Sequence, residues 1–307
     1  MDRIICVVGP TASGKTKLAV QLAKLYDGEV VSCDSMQIYK HMDIGTAKPT
    51  KEEMEGVAHH LIDMVEPGED FSAGKYVQLA DACVQDILSR GKTAVIAGGT
   101  GLYVDSLIAG RSFAPVPQTG RREALEAQLR ETGGEAMLAR LREIDPEAAA
   151  RLHPADEKRV IRALEVYEET GKTITQHNLE TKAVPPRYRP VWIGLDYQDR
   201  AALYRRIDLR VDLMLQSGLL DEIRALLALG VSPDTTAMQA IGYKEFFGAL
   251  DGSCTLEEAA ALCKQHSRNY AKRQLTWFRR NEAVRWLDAG LPFPELFSAA
   301  RREISFF

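Results

Sequence analysis

No apolar run in this 307-residue chain approaches the roughly 20 residues needed to cross a bilayer, and the N-terminus enters a strand pattern directly, without signal-peptide features. These absences predict a cytoplasmic protein with no membrane partner. Cysteine is scarce: Cys6, Cys33, Cys83, Cys254 and Cys263 are odd in number, irregular in spacing and free of any C-x-x-C, which supports neither a disulfide framework nor a zinc cluster. All five read as reduced packing residues. The chain has no internal repeat and no low-complexity segment. An excess of positive charge is lacking too: 43 acidic and 39 basic residues give a net charge of −4, which excludes coating nucleic acid by bulk electrostatics. With 45% apolar and 27% charged residues, disorder is excluded as well.

The most informative stretch present is Gly9-Pro10-Thr11-Ala12-Ser13-Gly14-Lys15-Thr16, directly after the apolar run Ile4 to Val8, with the spacing G-x-x-x-x-G-K-T. The glycines let backbone N–H groups turn inward as an anion nest, and the following helix, with Leu18, Ala19, Leu22 and Leu25 at helical spacing, points its positive end at the same place. Lys15 adds a mobile charge and Thr16 a magnesium ligand. What the phosphate is for stays open, since kinases, hydrolases and enzymes of diphosphate substrates share this nest.

Strand-like runs recur at 4–8, 29–32, 60–65, 93–97 and 191–195, with helical patterns such as 72–90 and 199–216 between them. The alternation predicts an α/β fold, a P-loop-type parallel sheet covered by helices on both faces. From 114 to 190 the strand signal gives way to short helices at 121–131, 135–143, 146–152 and 156–169, bordered by paired prolines that read as stiff connectors. We expect a first core part at 1–113, an all-helical insertion domain at 114–190, and a second core part at 191–307. That last part is mostly helical (199–216, 219–229, 255–281, 293–303), with a late strand at 284–287.

Asp34, just past the second strand, falls at the carboxyl edge of the sheet, where ligands of such folds bind. It could hold magnesium through water, take a proton from a nucleophile, or cap the next turn. Ser35, Met36, Gln37, Ile38 and Tyr39 suit either reading a polar ring or packing. The strand at 93–97 runs into Gly98-Gly99-Thr100-Gly101 without the acid that organises magnesium and water in hydrolytic P-loop proteins, which is evidence against hydrolysis. Gly98 to Thr100 offers donors near the phosphate, or merely a strand-to-helix turn. Thr46 and Lys48 are available for an anion, or lie in a solvated loop. Of His59 and His60 one faces the core, and no third ligand stands at a spacing that makes a metal site. Arg206 and Arg210 share a helix face that suits a diphosphate, or pair with Asp208 and Asp212. Between Lys264 and Arg280 six basic residues (Lys264, Arg268, Lys272, Arg273, Arg279, Arg280) occur with no acid, interleaved with Tyr270, Trp277 and Phe278. This ridge can follow a phosphate backbone. A second basic face, Lys158-Arg159 with Arg162, lies in the insertion on a helix whose buried side is Val160, Ile161, Leu164 and Tyr167. Two basic surfaces suggest a nucleic acid gripped between them.

Together, Gly9 to Thr16, Asp34 to Tyr39, Met42-Asp43-Ile44-Gly45-Thr46-Ala47-Lys48-Pro49, Gly98 to Thr100, His153-Pro154 with Arg159 and Arg162 to Glu165, Ile241-Gly242-Tyr243 and Lys272 to Trp277 resemble, in the same order, the bacterial tRNA dimethylallyltransferases. The resemblance runs from residue 4 to about 288. It implies transfer of a dimethylallyl group from dimethylallyl diphosphate to the exocyclic amine of the adenosine 3′-adjacent to the anticodon of tRNA, and that base must leave its stack. Residues Gly9 to Thr16 and Arg206 would then hold a leaving diphosphate with Mg2+ on Thr16. Asp34 would be the general base, while Lys15, Thr100 and Arg210 stabilise departing charge. By the same resemblance, tRNA is contacted by Asp34, Ser35, Met36, Gln37, Thr100, Arg122, Lys158, Arg159, Val160, Ile161 and Arg162. Further contacts come from Gln239, Ala240, Ile241, Gly242, Tyr243 and Lys244, and from Lys272, Arg273, Gln274, Leu275, Thr276, Trp277, Phe278 and Arg279. A monomer is expected. The chain ends at Phe307 without the zinc-finger extension of eukaryotic relatives, so no metal-finger contact to tRNA is expected. A P-loop nucleoside kinase, an isopentenyltransferase of free adenine nucleotides and a nucleotide-switched RNA-binding regulator explain fewer of these features: the first two leave the basic surfaces idle, the third leaves Asp34 and the arginine pair idle.

Overall fold

The computed structural model describes residues 2–111, 113, 119–182 and 185–304, so the proline-bearing link expected at 114–117 lies outside the described residues. Among them the order is β1 (Asp2–Val8), α1 (Lys15–Leu25), β2 (Gly28–Ser32), α2 (Lys51–Met54), β3 (His59–His60), α3 (Ala73–Ser89), β4 (Thr93–Gly98) and α4 (Gly101–Ile108). Then come α5 (Arg121–Ile144), α6 (Pro146–Ala149), α7 (Glu157–Thr170) and α8 (Ile174–Lys182). The chain finishes with β5 (Tyr188–Asp196), α9 (Arg200–Gln216), α10 (Leu219–Ala228), a 3-10 turn at Lys244–Phe246, α11 (Phe247–Asp251), α12 (Leu256–Phe278), β6 (Arg285–Asp288) and α13 (Phe293–Ile304). Two compact units result: Met1–Ile108 with Arg187–Phe307, and Ala109–Pro186.

The first unit is built on a six-stranded, all-parallel sheet of order β3-β2-β4-β1-β5-β6. On β1, Ile5 and Val7 join Leu18 and Leu22 of α1 and Leu296 and Ile304 of α13 in one cluster. Their neighbours of opposite parity, Ile4, Cys6 and Val8, are equally buried, so both faces of the strand are covered, as parallel sheets require. Tyr76 of α3 stacks on Tyr103 of α4 with centroids 4.1 Å apart, and its hydroxyl donates to the Ser32 carbonyl at 3.1 Å.

Two strand expectations change. The strand expected over 60–65 is only His59–His60 plus a single bridge from Val65 to Tyr39, because Leu61 (φ 62°) and Asp63 (φ 55°) adopt left-handed backbone that breaks a ladder. The segment 188–190, expected as connector, opens β5: Tyr188 is buried and Pro190 pairs with Ile4 of β1. Proline is tolerated there because β6 pairs only with Ile193–Asp196, leaving that side of Pro190 without a ladder.

The second unit has its own core of Leu125, Met137, Leu138, Leu141, Val160, Ile161 and Leu164. Gly133 (φ 80°, ψ 164°) interrupts α5 where a break was expected. Tyr167, expected on the buried side of α7, is 38% exposed, and Ala163 and Val166 take its place.

Candidate active site

The phosphate loop is shaped by close approach and by left-handed backbone. A Cβ on Gly9 would sit 2.5 Å from the Leu195 carbonyl of β5, and Gly14 (φ 83°) and Ala12 (φ 62°) turn the chain into α1. Gly14 is the N-cap and supplies no side-chain acceptor, and α1 carries no acid in its first turn, so its first N–H groups are left for an external anion. The loop is stapled from α12: Gln274 Oε1 accepts from Thr11 N at 2.8 Å while its amide donates to the Gly99 carbonyl at 3.0 Å. Three glycines at and after the end of β4 make room for close packing against β2's exit and α12. A Cβ would lie 2.1 Å from the Cys33 carbonyl at Gly98, 2.0 Å from Gln274 at Gly99 and 2.1 Å from Trp277 at Gly101.

Lys15, Arg210 and Asp34 lie within electrostatic reach of one another. Burial and the neighbouring Arg210 cation push the Lys15 ammonium down to about 7, with Asp34 opposing. Burial likewise lowers Arg210, against Asp34 and Glu53. Neither cation has a carboxylate ion pair among the described residues; the Lys15 ammonium donates to the Pro10 carbonyl at 2.6 Å. The alternative of pairing with Asp208 or Asp212 is ruled out, because those acids hold Arg268 (2.5 Å) and Lys264 (2.6 Å). Arg206 instead donates to the Ala12 carbonyl of the phosphate loop at 3.1 Å. Two desolvated cations beside an open nest make a site that gains from an anion.

A cavity of about 280 Å³ opens beside this charge. Its polar lining includes Thr11, Asp34, Arg210 and Arg273, and its apolar lining Met36, Ile207, Val211, Met214 and Cys263. Asp34 Oδ1 accepts from Met36 N (2.9 Å) and Gln37 N (3.3 Å), which fixes the carboxylate while Oδ2 makes no protein hydrogen bond among the described residues. Thr100 Oγ1 accepts from Ser35 N at 3.1 Å, and Tyr270 lies close enough to Thr100 and Asp34 for both to influence its phenol. Burial and Asp34 push that phenol up to about 12, which keeps it protonated. Thr16 Oγ1 has no protein partner among the described residues. A hard hydroxyl oxygen beside a diphosphate nest, with no cluster of three or more His, Cys, Asp or Glu among the described residues, fits a magnesium ion held largely by substrate oxygens.

Other expectations meet a different structure. Lys48 is buried by its pairs with Asp43 (2.6 Å) and Asp63 and donates to the Tyr39 carbonyl, so it is not available to a ligand. Gln37 spends its amide on the Thr46 and Ala47 carbonyls. Tyr243, Leu275, Phe278, Val160 and Ile161 are buried and Gln274 is used inside the protein, so none of these side chains presents itself to RNA. Any continuous stretch of an amphipathic helix must give part of its residues to the core. Gln239 to Gly242 line the cavity, while Lys158, Arg159, Lys244, Lys272, Arg273, Thr276 and Arg279 are exposed. Trp277 is half-buried and donates to Asp105 at 2.8 Å. Arg122 and Arg162 reach the buried Glu165, at 3.8 and 2.8 Å. His60 bonds Glu29 at 2.8 Å, and the five cysteines are free thiols. Sequence reasoning missed the Tyr270 hydroxyl beside Thr100, which had no local signal beyond an aromatic in a basic helix.

An all-parallel sheet with a P-loop between β1 and α1 and Asp34 at the sheet's carboxyl edge define a P-loop-type α/β protein. A family model described as IPP transferase matches residues 37–281. The tRNA dimethylallyltransferase of Acetivibrio thermocellus is 49% identical over 289 residues, covering 94% of this chain and 92% of that protein. That of Pelobacter propionicus is 46% identical over 308 residues, covering 100% and 98%. The crystal structure of the full-length tRNA isopentenylpyrophosphate transferase from Bacillus halodurans matches with a TM-score of 0.75 at 44% identity, covering 100% of this chain and 96% of that one. A eukaryotic dimethylallyltransferase acting on tRNA matches with a TM-score of 0.84 at 30% identity, covering 99% and 78%. The chain belongs to the IPP transferase family, the tRNA dimethylallyltransferases. Among the described residues no helix is long and apolar enough to cross a membrane.

Proposed function

We propose that this protein transfers a dimethylallyl group from dimethylallyl diphosphate to the N6 amine of the adenosine 3′-adjacent to the anticodon in tRNA, releasing diphosphate. The observation that carries the reading is Asp34, whose carboxylate is fixed by two backbone N–H groups, whose second oxygen has no protein partner among the described residues, and which lines the same cavity as Arg210.

In this reading the diphosphate lies on the N–H groups of Gly9 to Thr16, with Lys15, Arg206 and Arg210 against its oxygens. Bound there with Thr16 as a ligand, magnesium supplies Lewis-acid neutralisation of diphosphate charge. The N6 nitrogen forms a bond to the allylic carbon, the carbon–oxygen bond breaks, and its electron pair leaves with diphosphate. The N6 proton passes to Asp34 as the bond forms, because the amine's lone pair is delocalised into the ring and is a poor nucleophile without that transfer. Fixed cations around the departing oxygens stabilise the transition state more than the ground state, since charge concentrates there as the bond breaks. The exposed Lys158 and Arg159 of the second unit and the exposed Lys272 and Arg273 of α12 serve the RNA backbone.

The test combines unmodified tRNA, dimethylallyl diphosphate and magnesium without ATP, followed by mass analysis of nucleosides. Prenylated adenosine is expected. Asp34→Ala should keep tRNA binding and lose about 10²–10⁴-fold in turnover. Undiminished turnover in that variant would remove Asp34 from its role.

A further inference from the structure

Glu222, in the first turn of α10, does not line the cavity, yet four donors converge on it. Its Oε2 accepts from Asp43 N at 2.8 Å and Ile44 N at 2.7 Å; its Oε1 accepts from Gly45 N at 3.0 Å and from the hydroxyl of Tyr243 at 2.7 Å. Tyr243 is fully buried, and a Cβ on Gly45 would lie 2.5 Å from its ring. The two loops therefore interlock with no slack: Gly242 (φ 102°) has space for a Cβ only 3.3 Å from the Gly45 carbonyl. A second carboxylate, the buried Glu245, holds the partner loop by accepting from Gly242 N at 2.9 Å and bonding His266 at 2.7 Å. Gly45, Thr46 and Gln239 to Gly242 form one wall of the cavity that contains Asp34.

We infer that Glu222 is a positioning residue: it fixes this wall and so sets affinity for the acceptor nucleoside without touching either substrate. The inference rests on the proposed acceptor. Three backbone N–H groups on one carboxylate form a charge-assisted nest at the edge of the cavity wall, and its removal leaves the buried Tyr243 hydroxyl and the partly buried Ile44 and Gly45 N–H groups without their acceptor and the wall free to move. The phosphate loop is anchored separately through Gln274.

The test measures steady-state kinetics and pyrophosphate binding for Glu222→Ala and Glu222→Gln. The alanine variant should raise KM for tRNA about tenfold, with kcat less affected and pyrophosphate affinity within about twofold of the parent. The glutamine variant keeps one carbonyl for Gly45 N and Tyr243 but turns its amide on Asp43 and Ile44, so it should fall between. An unchanged tRNA KM in both variants overturns the inference, as does a loss of pyrophosphate affinity equal to the loss for tRNA. A parent enzyme that prenylates no tRNA overturns the proposed function instead; binding of an anticodon stem-loop RNA to parent and variants then decides the role of Glu222.

Discussion

Lys15 and Arg210 share one dry corner of the site with no carboxylate ion pair among the described residues, and burial, with the Arg210 cation beside it, pushes the Lys15 ammonium down to about 7. An ammonium in the unfolded chain stays protonated up to about 10.4, so between these pH values the unfolded state holds one more proton than the folded one. Stability therefore rises with pH across that window, and Lys15 costs the empty enzyme on the order of a few kcal/mol at and below pH 7. Bound diphosphate reverses the sign, because its charge favours the ammonium and raises the pKa. Binding above pH 7 thus takes up a proton, and affinity should fall about tenfold per pH unit above 7 until the raised pKa of the complex is reached. Titration calorimetry in two buffers of different ionisation heat measures the uptake. Lys15→Met should bind diphosphate weakly and lose the proton linkage; a pH-independent affinity in the parent enzyme would place the Lys15 pKa elsewhere.

At the scale of elements, α12 shows why a run of like charges misleads when it is read along one strand of sequence. Between Lys264 and Arg280 no acid occurs, yet α9 packs alongside and brings Asp212 to Lys264 and Asp208 to Arg268, and β5 brings Asp196 to Arg279 at 2.6 Å. Three of the six cations are answered by acids that lie 52 to 83 residues away. Lys272, over the Tyr204 ring, together with Arg273 and Arg280, has no acidic partner among the described residues and remains for a phosphate backbone. Lys272→Ala should accordingly lower the slope of log affinity for tRNA against log salt by about one and leave the diphosphate constant alone. Arg268→Ala should leave the slope unchanged. Equal slopes for both variants would remove the distinction between paired and free cations. The phosphate loop, by contrast, was legible because its function is written in backbone requirements, a glycine where a strand crowds it and another where φ is positive. Glu222 was not, since its three backbone partners lie 177 to 179 residues away and no local pattern marks an acceptor.

For the whole molecule, the alternation of strands and helices sufficed to give the parallel sheet, because buried strands in such folds are short continuous apolar runs. It failed at β3, where two left-handed residues end the strand in a stretch whose composition gave no warning. Each compact unit has a separate core, Ile5 to Ile304 around the sheet and Leu125 to Leu164 in the helices. In the proposed reading, pyrophosphate with magnesium would bind on the phosphate loop of the first unit, so its stabilisation would come from mass action on that unit. At one hundred times the dissociation constant this is about 2.7 kcal/mol, or roughly 5–10 °C for a unit of this size. Leu141→Ala opens a cavity in the second core and should cost about 2–5 kcal/mol there, while the pyrophosphate shift of the first unit persists. Lys15→Met should do the opposite, abolishing the shift with the second core untouched. Scanning calorimetry of the three proteins with and without ligand reads both effects, and a pyrophosphate shift that vanishes in Leu141→Ala would mean that the nest depends on the helical unit for its shape.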